Sequence, residues 1–298
     1  MDSSITINEF AEKYIKVVRT RLRSHRQIER HFNRYTNHFN NRPINTIKRN
    51  DLAEYAEHRQ AQGVTTDSIN IELAVYSAAI NYAKKRWEID LTNPISGLYY
   101  PHKPGRLRYL EKQEASTLLH HARKHRATYL ADFIELALNT GARKNELLQI
   151  QNKSIDLQRK ILTIEAHTTK TGKRRYLPIN QAAHQVIERR KIYHHQHCPE
   201  TPWLFAKRNG ERIKFPDKAF NQATQNAGLE NFTIHDLRHT FASWLVTEGV
   251  ELIKVRDLLG HSSVRMTERY AHLAPNRLHE AVGVLDGLYE QLDLELST

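Results

Sequence analysis

Residues 235–245 read HDLRHTFASWL, and residues 258–273 read LLGHSSVRMTERYAHL. In the first stretch His235 and Arg238 stand three apart at the start of a helical pattern and so share a face, while Leu237, Phe241, Trp244 and Leu245 point inward. In the second, Gly260 can end the preceding helix and turn the chain sharply into His261, because glycine enters the left-handed conformation without steric cost. Tyr270 follows nine residues after His261. Two further stretches, TGARKNELLQI at 140–150 and TKTGKRRYLPI at 169–179, add Arg143 with Glu146 and Lys170 with Lys173. Taken singly these residues have plain readings: Arg143 as an ion-pair partner of Glu146, Tyr270 as a half-buried packing residue. The four stretches together hold the cations and the nucleophile that a phosphate-transfer site needs.

Around them the chain divides into a helical part and a mixed part. Within residues 1–100, Thr6 with Glu9 forms a capping-box pattern ahead of Phe10, Tyr14 and Val17, and Ser24 with Gln27 forms another ahead of Ile28, Phe32, Tyr35 and Phe39. A third helix is predicted from about Asn50 through Leu52 and Tyr55. A fourth carries Ile69, Leu73, Tyr76, Ile80, Ala83 and Trp87 on one face and ends at Asn93-Pro94. Residues 101–108, PHKPGRLR, read as an extended basic linker. From Tyr109 onward, helical patterns at 110–122 and 129–138 give way to KILTIEA and RYLPI, two β-prone runs that form a hairpin with Thr171-Gly172 at its turn. Helical patterns return at 181–194, 218–226, 236–247, 251–259 and 263–272. The expected fold is mainly α with a small antiparallel β-sheet.

Charge narrows the partner. Lys plus Arg number 45 against 33 Asp plus Glu, a formal net charge of +12. Residues 1–100 hold 15 basic and 11 acidic groups, 101–230 hold 24 and 12, and 231–298 hold 6 and 10. A basic middle favours a polyanion. Arg19, Arg21, Arg23 and Arg26, then Lys103, Arg106 and Arg108, with Lys173 on the hairpin, are the candidate DNA contacts. The solvated face of a helix is the plain alternative for the first group. A mean hydropathy of −0.67 and the lack of any apolar run near 18 residues give no expectation of a membrane span. One cysteine, Cys198, gives no disulfide framework. His194, His195, His197 and Cys198 lack a second ligand pair at a zinc spacing, and no phosphate-binding glycine loop or paired acidic cluster suggests ATP or magnesium. No metal and no cofactor is expected.

The four stretches resemble the conserved boxes of the tyrosine recombinases, also called phage integrases, and the resemblance covers essentially the whole chain. It implies a helical, SAM-like core-binding DNA-binding domain over 1–100, the basic linker over 101–108, and a mixed α/β catalytic domain over 109–298 with an exchange tail at about 279–298. It places Arg143, Lys170, His235, Arg238, His261 and Tyr270 in the active site, with Glu146 supporting Arg143. Lys173, on the same hairpin, is the alternative to Lys170.

The residue types suit the chemistry. A phosphodiester attacked by oxygen passes through a crowded five-coordinate phosphorus whose outer oxygens gain charge, so cations must stand ready. Arg143 and Arg238 offer rigid donor forks, and His261 adds a donor. Tyr270, with an ordinary pKa of about 10, needs a base or a cationic setting, for which His235 is the candidate. Lys170 can protonate the departing 5′ oxygen.

The implied activity is cleavage and rejoining of DNA through a 3′-phosphotyrosine, without an external cofactor, to integrate and excise a mobile element such as a prophage or genomic island. An Xer-like chromosome or plasmid resolvase, a topoisomerase-like relaxing enzyme and a non-catalytic DNA-binding regulator are the alternatives. The implied partners are double-stranded attachment sites and three further copies of the chain in a homotetramer on DNA. There is room for an accessory DNA-bending or directionality factor and no role for a membrane. The expected location is the cytoplasm, on the nucleoid. The chain opens directly on the helical pattern, which predicts no separate arm-binding domain. Residues 279–298 carry Glu280, Asp286, Glu290, Asp293 and Glu295 beside Ala281, Leu285, Leu288 and Leu292 at helical spacing. They are expected to dock on protein, on the same chain or on a neighbouring copy.

Overall fold

Thr6 opens the first helix, α1 (Ile7–Arg21): its hydroxyl accepts the Glu9 N–H at 3.3 Å, and the Glu9 carboxylate accepts the Thr6 N–H at 2.8 Å. The expected box is present and satisfies two otherwise orphaned donors. The computed structural model describes residues 5–22, 24–95, 97–101, 106–169, 172–275, 282–283 and 285–286. They belong to two units, Met1–Gly105 and Arg106–Thr298.

In the first unit α2 (His25–Phe39) starts behind Ser24, but the predicted second box does not form. Ser24 has ψ 11°, not the extended value that aims a cap hydroxyl at the third N–H, and no side-chain cap bond is made. Next, α3 (Arg49–Ala61) is capped by the Asp51 carboxylate, which accepts the Lys48 N–H at 2.7 Å. The long α4 (Thr66–Arg86) buries Ile69, Leu73, Tyr76, Ile80 and Ala83, as its spacing predicts. It stops at Trp87, earlier than the expected Asn93-Pro94. Asn93 instead bonds back to Ser77 Oγ at 2.7 Å and Asn81 Oδ1 at 3.1 Å, folding the following segment onto the helix. Phe10, Phe32, Tyr35, Tyr55 and Tyr76 fill the core. Beneath them lies Glu72, 1% exposed, which accepts from Tyr55 Oη at 2.5 Å, Arg34 at 2.7 Å and Arg59 at 3.0 Å. Burial raises its pKa, but the bonds from Arg59 and Tyr55 outweigh that and lower it. A buried carboxylate without such partners would cost several kcal/mol.

The second unit wraps α5 (Lys112–Lys124) and α6 (Leu130–Thr140) with later helices around Leu118, Phe133, Leu147, Leu162, Phe205, Phe220 and Leu237. After α6 comes a single turn, α7 (Lys144–Leu147). The sheet has order β1-β2-β3, all antiparallel: β1 (Ile155–Asp156), β2 (Ile161–Ile164) and β3 (Arg175–Pro178), with Ile164 opposite Arg175. Leu162, Ile164 and Leu177 alternate inward to the core. The expected hairpin is β2–β3, but its connection is longer than a tight turn and contains a 3₁₀ turn at Ala166–Thr168. Gly172 in that connection has φ +67°. β1 was not anticipated, since two residues carry no period.

The remaining helices are α8 (Gln181–His197), α9 (Asp217–Asn226), α10 (Ile234–Thr247) and α11 (Leu252–Leu259). The pattern at 263–272 folds as two 3₁₀ segments, Val264–Met266 and Glu268–Leu273, and not as an α-helix.

Arg23, Lys103, Lys170 and Thr171 lie outside the described residues, as does most of the 279–298 tail, of which Val282 and Leu285 are exposed. Among the described residues no helix is long and apolar enough to cross a membrane. Nor is any group of three or more His, Cys, Asp or Glu side chains placed to hold a metal ion.

Candidate active site

Arg238 sits one turn into α10 and is 3% exposed. Its Nη1 donates to the Gly141 carbonyl at 2.8 Å and its Nη2 to the Leu259 carbonyl at 2.6 Å. Both acceptors mark helix ends: Gly141 caps α6 and Gly260, next to Leu259, caps α11, each in the left-handed conformation. A cation is favoured there by the carbonyl end of each helix. Gly141 also has no room for a side chain, since a Cβ would lie 2.3 Å from Phe241 Cδ1. Burial, with Arg143 and Arg175 nearby, holds the Arg238 pKa down at about 9, which leaves it charged at neutral pH.

Arg143 caps α7, and its partner is Glu146, 2% exposed. The Glu146 carboxylate accepts four bonds. Two come from Arg143, through its backbone N–H at 2.8 Å and Nη1 at 3.0 Å, and two from Arg175, through Nη2 at 2.8 Å and Nη1 at 3.3 Å. Arg175, the first residue of β3, was missed in the sequence. Its side chain lies over Gly260, where a Cβ would be 2.8 Å from Arg175 Cδ. Burial lowers the Arg175 pKa, with Glu146 opposing and Arg143 adding to the shift. Two guanidinium groups thus share one buried carboxylate with the Arg238 cation close by, and the surplus charge favours an anion.

Tyr270, on the Glu268–Leu273 turn, is 1% exposed and packs with Phe241, Ala242, Val246, Val255 and Leu259. Its hydroxyl lies 2.6 Å from Nδ1 of His239, a residue the sequence reading did not single out. Burial raises the phenol pKa, against the pull of Arg238 and Arg269. His235, the expected base, is exposed one turn earlier on α10, its ring edge-on to His239 with centroids 4.9 Å apart. His261 follows α11, and its Nδ1 is 2.9 Å from the Thr267 hydroxyl. Thr267, fully buried, also accepts the Tyr270 N–H on its carbonyl at 3.0 Å. Burial, joined by Arg238 and Arg143, lowers His261 to about 4. Burial, joined by His235 and Arg269, does the same for His239, and His235 is lowered by burial and Arg238. The shifts favour the neutral form of all three rings.

Arg143, His235, His261 and Tyr270 thus come together around Arg238. The candidate DNA contacts are more varied. Arg19 is paired with Glu29, Arg21 lies 5.5 Å from the centre of the Tyr82 ring, and Arg26 is exposed. Arg106 donates to the Asn231 carbonyl, and Arg108 is committed to Glu114 with its guanidinium over Phe232. Lys173 is exposed, and its carbonyl accepts the Thr169 hydroxyl at 3.1 Å.

The sequence profile of the phage integrase family matches residues 108–277, which include every residue of this cluster. The chain belongs to the phage integrase family. The N-terminal domain of phage integrases matches residues 4–100. The integrase of Salmonella phage P22 is 31% identical over 230 residues, covering 73% of this chain and 57% of that protein. This chain therefore spans a little over half the length of that relative. Tyrosine recombinase XerC of Staphylococcus haemolyticus is 25% identical over 279 residues, 85% of this chain and 91% of that one. Among solved structures, a lambda integrase tetramer bound to a Holliday junction has the same fold, with a TM-score of 0.77 at 19% identity over 93% of this chain and 79% of that one.

Proposed function

We propose that this integrase-family chain is a site-specific DNA recombinase that cuts and rejoins DNA through Tyr270. The observation that carries the reading is the surplus of buried cation around a tyrosine: Arg143, Arg175 and Arg238 against Glu146, with Tyr270 inside the same cluster. A phosphodiester brings the missing negative charge, and the charge grows on its outer oxygens as Tyr270 Oη attacks. Arg143, Arg238 and the Nε2 side of His261 receive those oxygens. The Tyr270 oxygen forms a bond to phosphorus, the bond to the 5′ oxygen breaks, and Lys170 supplies the proton that the 5′ hydroxyl keeps. The phenol proton passes to an imidazole of α10. Attack by a second 5′ hydroxyl reverses these steps and reseals the strand, so the energy of the bond is conserved and no cofactor is consumed.

In this reading residues 1–100 bind the duplex along with the catalytic domain, 101–108 link the two, and four copies assemble on two duplexes in the cytoplasm, on the nucleoid. Integration and excision of a mobile element is the leading role, supported by the 31% identity to P22 integrase. The Xer-like role is the second reading, favoured by the 91% coverage of an XerC chain. A pool of nicked duplexes with randomised cores, screened for DNA that stays bound to protein in SDS, tests the activity. The wild type should retain a defined core sequence and Tyr270→Phe should retain none. No adduct at all, or one that survives Tyr270→Phe, overturns the proposal. Recombination between two identical selected sites favours the Xer-like role, and a requirement for two different flanking sequences favours integration.

A further inference from the structure

Tyr270 is 1% exposed and His239 is 7% exposed, so neither bulk water nor the exposed ring of His235 reaches the phenol as directly as His239 does. The Oη to Nδ1 distance is 2.6 Å, within reach for direct proton transfer. His239 stands four residues after His235 on α10, so the two rings share a helix face, with His239 on the buried side. Tyr270 is also fixed from behind, because its N–H bonds to Thr267 and its ring lies in an apolar cluster.

We propose that His239, and not His235, is the catalytic base that takes the proton of Tyr270 when the phosphotyrosine bond forms. The inference rests on the recombinase reading and names the base of that same site. In the resting protein the phenol donates and Nδ1 of the neutral ring accepts, which leaves the ring proton on Nε2. When the oxygen attacks, the O–H bond breaks as the O–P bond forms, and the proton moves to Nδ1 to give an imidazolium. In the rejoining step the same proton returns to the phenol, so the cycle balances.

The neighbourhood explains why this base waits for substrate. Facing His239 are His235, Asp236 and Arg238 from its own helix, Arg269 and Tyr270 from the turn after Thr267, and His261 from the loop after α11. The net charge of that surround opposes a protonated ring, and burial opposes it further. A bound phosphodiester neutralises part of the surplus cation and so makes the imidazolium affordable at the moment of attack. His235, exposed at the start of α10, is left to contact a phosphate oxygen.

The test uses the full chain and a nicked duplex from the covalent selection. His239→Asn keeps an acceptor near the Nδ1 position but takes no proton. It should bind the duplex as the wild type does while forming the covalent adduct on the order of 100-fold more slowly or worse, with a smaller loss for His235→Asn. Wild-type cleavage rates in His239→Asn, or the large loss appearing in His235→Asn alone, overturn the assignment. Nitrogen NMR of ¹⁵N-histidine-labelled wild type provides a check that needs no variant. His239 Nδ1 should be unprotonated and hydrogen-bonded, and a protonated Nδ1 overturns the proposal. If the wild type forms no adduct on any duplex, the recombinase reading fails with it. If wild type and His239→Asn form it equally, only the assignment of the base fails.

Discussion

The hydroxyl of Thr267 lies 2.9 Å from Nδ1 of His261, and the carbonyl of the same threonine accepts the Tyr270 N–H at 3.0 Å. One buried residue therefore orients the His261 ring with its side chain and the proposed nucleophile with its backbone. A neutral imidazole that accepts at Nδ1 must carry its proton on Nε2, the form that can donate to phosphate.

Thr267→Val removes the hydroxyl and keeps the shape. Nitrogen NMR should show His261 shifting from the Nε2–H form to a mixture, and the rate of adduct formation should fall roughly tenfold or more with DNA binding retained. Thr267→Ser should restore both. A valine variant with unchanged tautomer and rate would remove Thr267 from the site.

Glu146 is the counter-ion of two arginines. Glu146→Gln leaves Arg143 and Arg175 with a neutral partner in a buried setting, which should lower stability by about 3 kcal/mol, read as a drop in denaturant midpoint. Arg143→Lys keeps the charge and loses the fork, so cleavage should fall more than binding. A stable Glu146→Gln protein would mean that the guanidinium groups find other partners.

Lys170 and Lys173 are separated by leaving-group chemistry. Lys170→Ala should block cleavage of ordinary DNA yet cut a duplex with a 5′-bridging sulfur at the scissile phosphate, because a thiolate leaves without a proton. Rescue confined to Lys173→Ala would move the acid to the exposed lysine.

Acid should destabilise the second unit. His194, His239 and His261 are each held at about 4 when folded, with burial the leading cause, against an ordinary value of about 6.5 when unfolded. A depressed folded pKa means that the unfolded chain binds more protons between those values. Stability is then complete above pH 6.5 and declines as pH falls toward 4. Calorimetry of the full chain from pH 7.5 to 4 should show the melting temperature falling through that window, and less steeply in His194→Gln. A flat profile would contradict the burial of these rings.

The helices of the first unit were legible because their apolar residues recur at helical spacing, and the cluster of Arg143, Arg238, His261 and Tyr270 because TGARKNE, HDLRH and LLGHSSVRMTERY each keep a recognisable spacing. What escaped notice was decided by long-range packing. Arg175 was hidden inside KRRYLPI, where three cations run together, and only the register of β3 against β2 turns it toward Glu146. His239 lies in the same motif as His235, and the spacing of four could have flagged both. Which ring meets Tyr270 depends on how the 268–273 turn packs on α10, and no local pattern encodes that. Ser24 missed its box for a similar reason, since capping depends on a backbone angle set by the segment before it.

Arg238 holds two carbonyls at once, those of Gly141 and Leu259, and so pins the ends of α6 and α11 before any DNA arrives. The residue proposed to stabilise the reaction is thus also a keystone of the folded domain. A lineage that lost the need for recombination could shed Tyr270's hydroxyl at small structural cost, but could not shed this arginine without disturbing two helix ends. Decay of such a gene should therefore leave a recognisable trace: the guanidinium outlasting the chemistry it served.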